Sequence, residues 1–100
     1  MQNENLIPAT LCCEHYNVEF SFIQSLNQYG FIHVVSVNSM HFIDRDELQT
    51  LEKFIRMHYE LDINMQGIEA INFLLERVQN MQHEIVYLKS KLNVYENKAL

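Results

Sequence analysis

Residues 71–95 have the sequence INFLLERVQNMQHEIVYLKSKLNVY, in which apolar side chains recur at alternating spacings of three and four. This recurrence is typical of a helix that pairs with another helix along one narrow apolar seam. A lone helix of this kind would expose a long apolar ridge to water, so the pattern predicts a homodimer. The residues predicted to form the dimer are the eight at the a and d positions: Ile71, Leu74, Val78, Met81, Ile85, Leu88, Leu92 and Tyr95.

The charges beside this seam bear on the orientation of the two helices. With Val78 at an a position, Glu84 and Lys91 fall at g positions, and Lys89 and Glu96 fall at e positions. Acidic and basic residues would then face each other in a parallel dimer. Exposed pairs of this kind contribute only about 0.2–1 kcal/mol each. The charge pattern therefore favours a parallel dimer without deciding it.

Upstream of the seam, apolar periodicity and turn residues predict a helical head that contains a helix-turn-helix and a small β-hairpin. The fold class is therefore mainly α, with a winged helix-turn-helix head and a long C-terminal coiled-coil helix. We expect one structural unit composed of a head over residues 1–64 and a dimerisation helix over 65–100. The predicted elements are helices at 8–16, 19–29 and about 44–61, strands at 31–37 and 40–43, and a terminal helix at 65–97.

Several residues predict where these elements begin and end. Gly30 supplies the positive φ that ends the second helix. Asp44 and Glu47 have the spacing of a capping box, in which Asp44 accepts N–H bonds and Glu47 reaches back to the start of the helix. Asn64 is expected to cap the terminal helix, whose first turn is weakened slightly by Gly67.

The chain has a net charge of −6, and its seven Lys and Arg residues all lie from Arg45 onward. The acids before that point are Glu4, Glu14, Glu19 and Asp44. Affinity for nucleic acid rests mainly on Lys and Arg that neutralise phosphates, so the N-terminal half is poorly suited to a phosphate backbone. An acidic head is better suited to a basic protein partner.

The sequence contains no pattern typical of an enzyme. Cys12 and Cys13 are adjacent, which disfavours a disulfide between them and also lacks the spacing of a zinc site. His15 lies two residues from Cys13, but positions so close along a helix do not face each other. We therefore expect no catalytic residues, no metal and no cofactor. With no signal peptide and no membrane-spanning stretch, a reducing cytoplasm is the expected location.

Two stretches, LCCEHYNV at 11–18 and LNQYGFI at 26–32, resemble the MerR-like helix-turn-helix family. The resemblance is closer to its chaperone-modulator branch, the CbpM-like proteins. It is carried above all by the pattern R-x-x-x-E-L-x-x-x-x-x-G-I within residues 56–68. The branch implies a bacterial, dimeric and non-catalytic protein that binds the J-domain of a DnaJ- or CbpA-type co-chaperone and blocks its use by the chaperone DnaK. The family also implies antiparallel terminal helices, so both orientations of the dimer stay open.

We expect the partner to bind on the outer surface of the first two helices. J-domains present a basic helix to their chaperone, as the family implies, and an acidic head would attract it. We expect contact through Glu14, Glu19, Gln24 and Gln28. Two alternatives stay open: a MerR-type DNA-binding transcriptional regulator, and a dimeric adaptor for another protein. The basic recognition helix and the Arg-bearing wing of DNA-binding MerR proteins are both missing from this sequence.

Overall fold

A computed structural model describes the backbone of residues 5–99 and the side chains of residues 5–97. Residues 1–4 and Leu100, which fall in the predicted head and terminal helix, lie outside the described residues. The mainly helical fold class is confirmed, with a helix-turn-helix, a small antiparallel sheet and a long terminal helix. The elements are β1 (Leu6–Pro8), α1 (Ala9–Tyr16), α2 (Phe20–Gln28), β2 (Val34–Val37), β3 (Met40–Asp44), α3 (Leu48–Ile55) and α4 (Met65–Ala99).

The helix-turn-helix is formed by α1 and α2. Asn17 ends α1 in the left-handed region, with φ of 56°, a conformation that Asn tolerates better than most residues. The next N–H, that of Val18, donates to the Cys13 carbonyl over 3.0 Å. Gly30 follows α2 with φ of 79°, as predicted. A short left-handed turn thus lets the two helices pack on the same core.

The sheet has three strands in the order β1-β3-β2, all antiparallel. The hairpin of β2 and β3 was predicted, and its turn at Asn38 and Ser39 has positive φ at both residues, as two-residue hairpins favour. Strand β1 was not predicted, because three residues are too short to show a periodicity. Pro8 was expected in the first turn of a helix and instead ends this edge strand, where its missing N–H is tolerated.

The predicted capping box is half correct. Asp44 accepts from the Asp46 N–H over 2.8 Å, as a capping residue should. Glu47 does not reach back; its carboxylate accepts from the His33 N–H at 3.1 and 3.3 Å. The reason is that Arg45–Glu47 form one turn of 3-10 helix before α3, and this turn directs Glu47 towards the segment that enters β2.

The connection from α3 to α4 is a wide turn rather than a regular helix end. Arg56–Glu60 are π-helical, and the Leu61 N–H donates to the Arg56 carbonyl over 3.0 Å. Asn64 caps α4 as predicted, accepting from the Gly67 N–H over 2.8 Å. A Cβ on Gly67 would come within 2.7 Å of an Ile63 methyl carbon. Close approach at this corner therefore accounts for the glycine.

The hydrophobic core is built by α1, α2, β3, α3, the segments that connect them and the first turn of α4, whereas β1 and β2 contribute no buried side chain. Among the described residues, every buried side-chain N or O atom has a hydrogen-bond partner. The buried core side chains are Ala9, Cys12, Val18, Phe22, Ile23, Leu26, Ile32, Ile43, Leu51, Phe54, Met57 and Ile68.

The chain divides into two compact units, Met1–Ile68 and Glu69–Leu100. The first contains the helix-turn-helix, the sheet and α3, and the second consists of α4 beyond its first turn. None of the described helices is long and apolar enough to cross a membrane.

Candidate protein-binding surfaces

The four residues predicted to bind a partner are all exposed on the helix-turn-helix. Gln24 and Gln28 lie one turn apart on α2, so their side chains share one face. Glu19 directly precedes α2; its carboxylate accepts from the Ser21 hydroxyl at 3.3 Å. Glu14 projects from α1. Exposure leaves these side chains free to meet a partner, and their role stays a prediction.

The elements that a helix-turn-helix protein would turn towards DNA are α2 and the hairpin. The exposed side chains of α2 are Ser21, Gln24, Asn27 and Gln28, none of them a cation. The hairpin carries no Lys or Arg either, and the first cation of the chain, Arg45, follows β3. Phosphate contacts by Lys and Arg supply most of the affinity for DNA. These elements therefore offer no Lys or Arg to a phosphate backbone.

The two cysteines are free thiols, Cys12 buried and Cys13 half-buried. Burial raises the pKa of both thiols, and the neighbouring Glu14 carboxylate raises that of Cys13 further. A raised pKa keeps a thiol protonated at neutral pH, whereas a nucleophile requires the thiolate. His15 packs edge-on against Tyr16, with ring centroids 4.7 Å apart. Within residues 5–97, no group of three or more His, Cys, Asp or Glu side chains is placed to hold a metal.

Tyr16 links α1 to α3. Its hydroxyl donates to a carboxylate oxygen of Glu52 over 2.7 Å. Partial burial, together with this hydrogen bond and the adjacent charge, raises the pKa of Tyr16 to about 12. The phenol therefore stays neutral over the whole physiological range, and its hydrogen bond to Glu52 joins the two helices.

The predicted dimer seam lies on α4. Ile71 is half-buried, and the other seven side chains leave between 44% (Val78) and 78% (Tyr95) of their surface exposed. Five further apolar side chains on α4 are exposed outside the seam: Phe73, Leu75, Val86, Tyr87 and Val94. Within one chain the seam is thus an uncovered apolar stripe, available to a second helix.

The sequence reasoning missed one apolar surface, on the hairpin. Val35 lies opposite Phe42, and Val37 lies opposite Met40, so these four side chains share one face of the sheet. The other face includes Ile43, which is fully buried and marks the core side. Val35, Val37 and Met40 are 38–55% exposed, and Phe42 is half-buried. The signal in the sequence was the pair of runs VVSV at 34–37 and MHFI at 40–43, in which apolar residues occupy both faces of the sheet.

A helix-turn-helix, a hairpin in the position of a wing and a long terminal helix together define a winged helix-turn-helix protein. Residues 7–90 match the family model described as MerR HTH family regulatory protein. The match spans most of the chain, from β1 through most of α4, and the chain therefore belongs to the MerR helix-turn-helix family. Neither a curated protein nor a solved structure matches the chain significantly.

Proposed function

We propose that this MerR-family protein is a non-enzymatic modulator that binds the J-domain of a DnaJ- or CbpA-type co-chaperone and inhibits its action with the chaperone DnaK. The observation that carries the proposal is the helix-turn-helix head without a single Lys or Arg before Arg45. A family fold that usually approaches phosphates here has no Lys or Arg on the corresponding elements, α2 and the hairpin, while Glu19 precedes α2 and Asp44 ends β3. Such a surface attracts a basic protein.

The chaperone-modulator pattern at residues 56–68 supports the proposal. Gly67 and Ile68 have structural roles in this pattern. A Cβ on Gly67 would clash with the Ile63 side chain, and Ile68 is fully buried. Arg56, Glu60 and Leu61 are exposed on the π-helical turn and beside it, and Leu61 leaves 65% of its surface uncovered. The side chains of Arg56, Glu60 and Leu61 do not contribute to the core, so they are available to a partner.

The absence of enzyme activity is part of the proposal. The protonated thiols of Cys12 and Cys13, and the edge-on packing of His15 against Tyr16, disfavour a thiolate–imidazole pair. A protein with two free cysteines is suited to a reducing compartment, and we place it in the cytoplasm.

Homodimerisation through α4 completes the proposal. Seven of the eight seam residues are exposed along a helix of 35 residues, and a second copy of the same helix would cover them. The dimer would place two acidic heads on one molecule, allowing it to bind two co-chaperones.

Calorimetric titration with the J-domain of a DnaJ- or CbpA-type co-chaperone from the same genome tests the proposal. We expect micromolar or tighter binding that weakens as salt is raised, because charge attraction contributes. In a coupled assay, the chain should lower the DnaK ATPase rate only when the co-chaperone is present. Absence of binding, or equal inhibition of DnaK alone, would refute the proposal.

A DNA-binding regulator is the second candidate, and membership of the MerR family is the observation that favours it. Titration with duplex DNA separates the two candidates. A DNA-binding protein loses affinity steeply with salt, in proportion to the number of phosphates contacted. Binding to duplex DNA with such a slope, and none to the J-domain, would establish the regulator. Binding to neither would leave a dimeric adaptor for another protein.

A further inference from the structure

The outer face of the sheet has the composition of a protein interface rather than of a solvated surface. An antiparallel sheet with one face in water usually carries polar residues on that face. Here the directly opposed pairs Val35–Phe42 and Val37–Met40 are apolar throughout. Isolated exposed apolar residues are ordinary in proteins, but a contiguous cluster on two paired strands marks an interaction site.

Strand β1 extends this cluster across the sheet. Pro8 pairs with Phe42 in register, so its half-buried ring lies on the same face. We use the term wing face for Pro8, Val35, Val37, Met40 and Phe42. The only charged residue that alternation places on this side of β3 is Asp44, at the far end of the strand, where its carboxylate caps Asp46.

A groove of about 220 Å³ opens beside the wing face, where β1 has already turned into α1 and no longer covers β3. Its lining includes Pro8 and Met40 of the wing face together with Phe20 and His41. The rings of Phe20 and His41 lie 5.1 Å apart and form an aromatic wall. A space of this size and chemistry accommodates one aliphatic side chain.

The charges near the groove indicate which partner would enter it. Glu19 immediately precedes Phe20 in the chain, Asp44 ends β3, and no Lys or Arg occurs before Arg45. An apolar face with acidic neighbours complements a helix that carries an aliphatic ridge between Lys or Arg residues. A nucleic acid would find no cation to neutralise its phosphates here.

We infer that the wing face, with its groove, is the surface on which the basic helix of the J-domain docks through an aliphatic side chain. This inference rests on the proposed function and specifies which surface of the chain contacts the J-domain. Glu14 on α1 and Glu19 before α2 would guide the encounter, and burial of apolar surface on the wing face would hold the complex.

The test uses the full chain and the J-domain named above. In the triple variant Val35→Thr, Val37→Thr and Met40→Gln, side-chain size is nearly unchanged while the face becomes polar. We expect J-domain binding to weaken at least tenfold, mainly through faster dissociation, with the salt dependence unchanged. Met40→Gln alone should weaken binding severalfold. The control Val86→Thr makes the same chemical change on an exposed, off-seam residue of α4 and should leave binding unaltered.

Thermal unfolding of each variant establishes that the head remains folded, and the single Met40→Gln variant keeps the test decisive if the triple variant does not fold. If the wild type and the wing-face variants bind the J-domain with equal affinity, the wing-face assignment is overturned while the proposed function stays intact. Failure of the wild type to bind the J-domain would overturn both. A change in oligomeric state on mutation of the wing face would overturn the assignment by showing that the face joins two copies of the chain.

Discussion

Ile85→Asp should convert the proposed dimer into a monomer, and its neighbour supplies a matched control. Ile85 lies at the centre of the predicted seam and is 52% exposed within the chain. Val86 is the next residue, is 62% exposed and lies outside the seam. Both are β-branched residues of the same helix, so substitution by Asp changes helix propensity to a similar extent at either position. Only Ile85→Asp introduces a carboxylate into the proposed interface.

The magnitude follows from the exposed fraction of Ile85. Full burial of an isoleucine side chain contributes about 1.5–3 kcal/mol. A partner helix buries only the exposed half, so the two copies of Ile85 together contribute about 2 kcal/mol. Two carboxylates in the seam add a desolvation cost on the order of 2–4 kcal/mol. Because about 1.4 kcal/mol changes an equilibrium constant tenfold, the dimer dissociation constant should rise by about a thousandfold or more.

Light scattering and sedimentation over a range of protein concentrations measure the result. The wild type and Val86→Asp should have the mass of a dimer at concentrations where Ile85→Asp has that of a monomer. A dimeric Ile85→Asp variant would show that the seam does not form the interface. A monomeric Val86→Asp variant would show that the wrong stripe of α4 had been assigned.

Three further predictions concern residues of the first compact unit, Met1–Ile68. Glu14→Lys combined with Glu19→Lys should slow association with the J-domain by about tenfold at low salt and have little effect on dissociation, as measured by stopped-flow binding. Tyr16→Phe should lower the free energy of unfolding by about 1 kcal/mol at neutral pH, because a hydrogen bond to α3 is lost. The pKa of Tyr16 is raised to about 12, above its ordinary value of about 10, so its contribution is complete below pH 10 and lost as the pH rises towards 12. The stability of the wild type should therefore fall more steeply over that range than the stability of the variant. Gly67→Ala should lower stability by about 1 kcal/mol, because an overpacking cost of about 2 kcal/mol against Ile63 outweighs the gain of about 1 kcal/mol in helix propensity.

Each of these predictions has a control on α4. Glu69→Lys combined with Glu76→Lys makes the same change in net charge away from the head; equal slowing would attribute the effect to net charge alone. Tyr87→Phe removes an exposed phenol hydroxyl. If it lowered the free energy of unfolding as much as Tyr16→Phe does, the hydrogen bond of Tyr16 to Glu52 would not be the cause of the loss. Ser90→Ala should raise stability slightly through helix propensity alone. A rise of the same size in Gly67→Ala would show that the corner has room for a methyl group.

Local signals in the sequence predicted most of the elements. Apolar periodicity predicted α2, in which Phe22, Ile23 and Leu26 are indeed buried, and Gly30 marked the end of that helix. Asn64 marked the start of α4. Such signals are effective because helix periodicity, caps and glycine turns are decided by residues within a few positions of each other.

The sequence by itself determined the order of the elements, the apolar stripe of α4 and the acidic character of the head, because each follows from residue types at short spacing. Strand β1 exists only because it pairs with β3, and Glu47 leaves the start of its own helix to accept from His33, 14 residues away along the chain. The wing face likewise required the register of β2 against β3, because periodicity alone does not tell which side of a strand meets the core. These features depend on hydrogen bonds and packing between distant segments, and only the tertiary structure decided them.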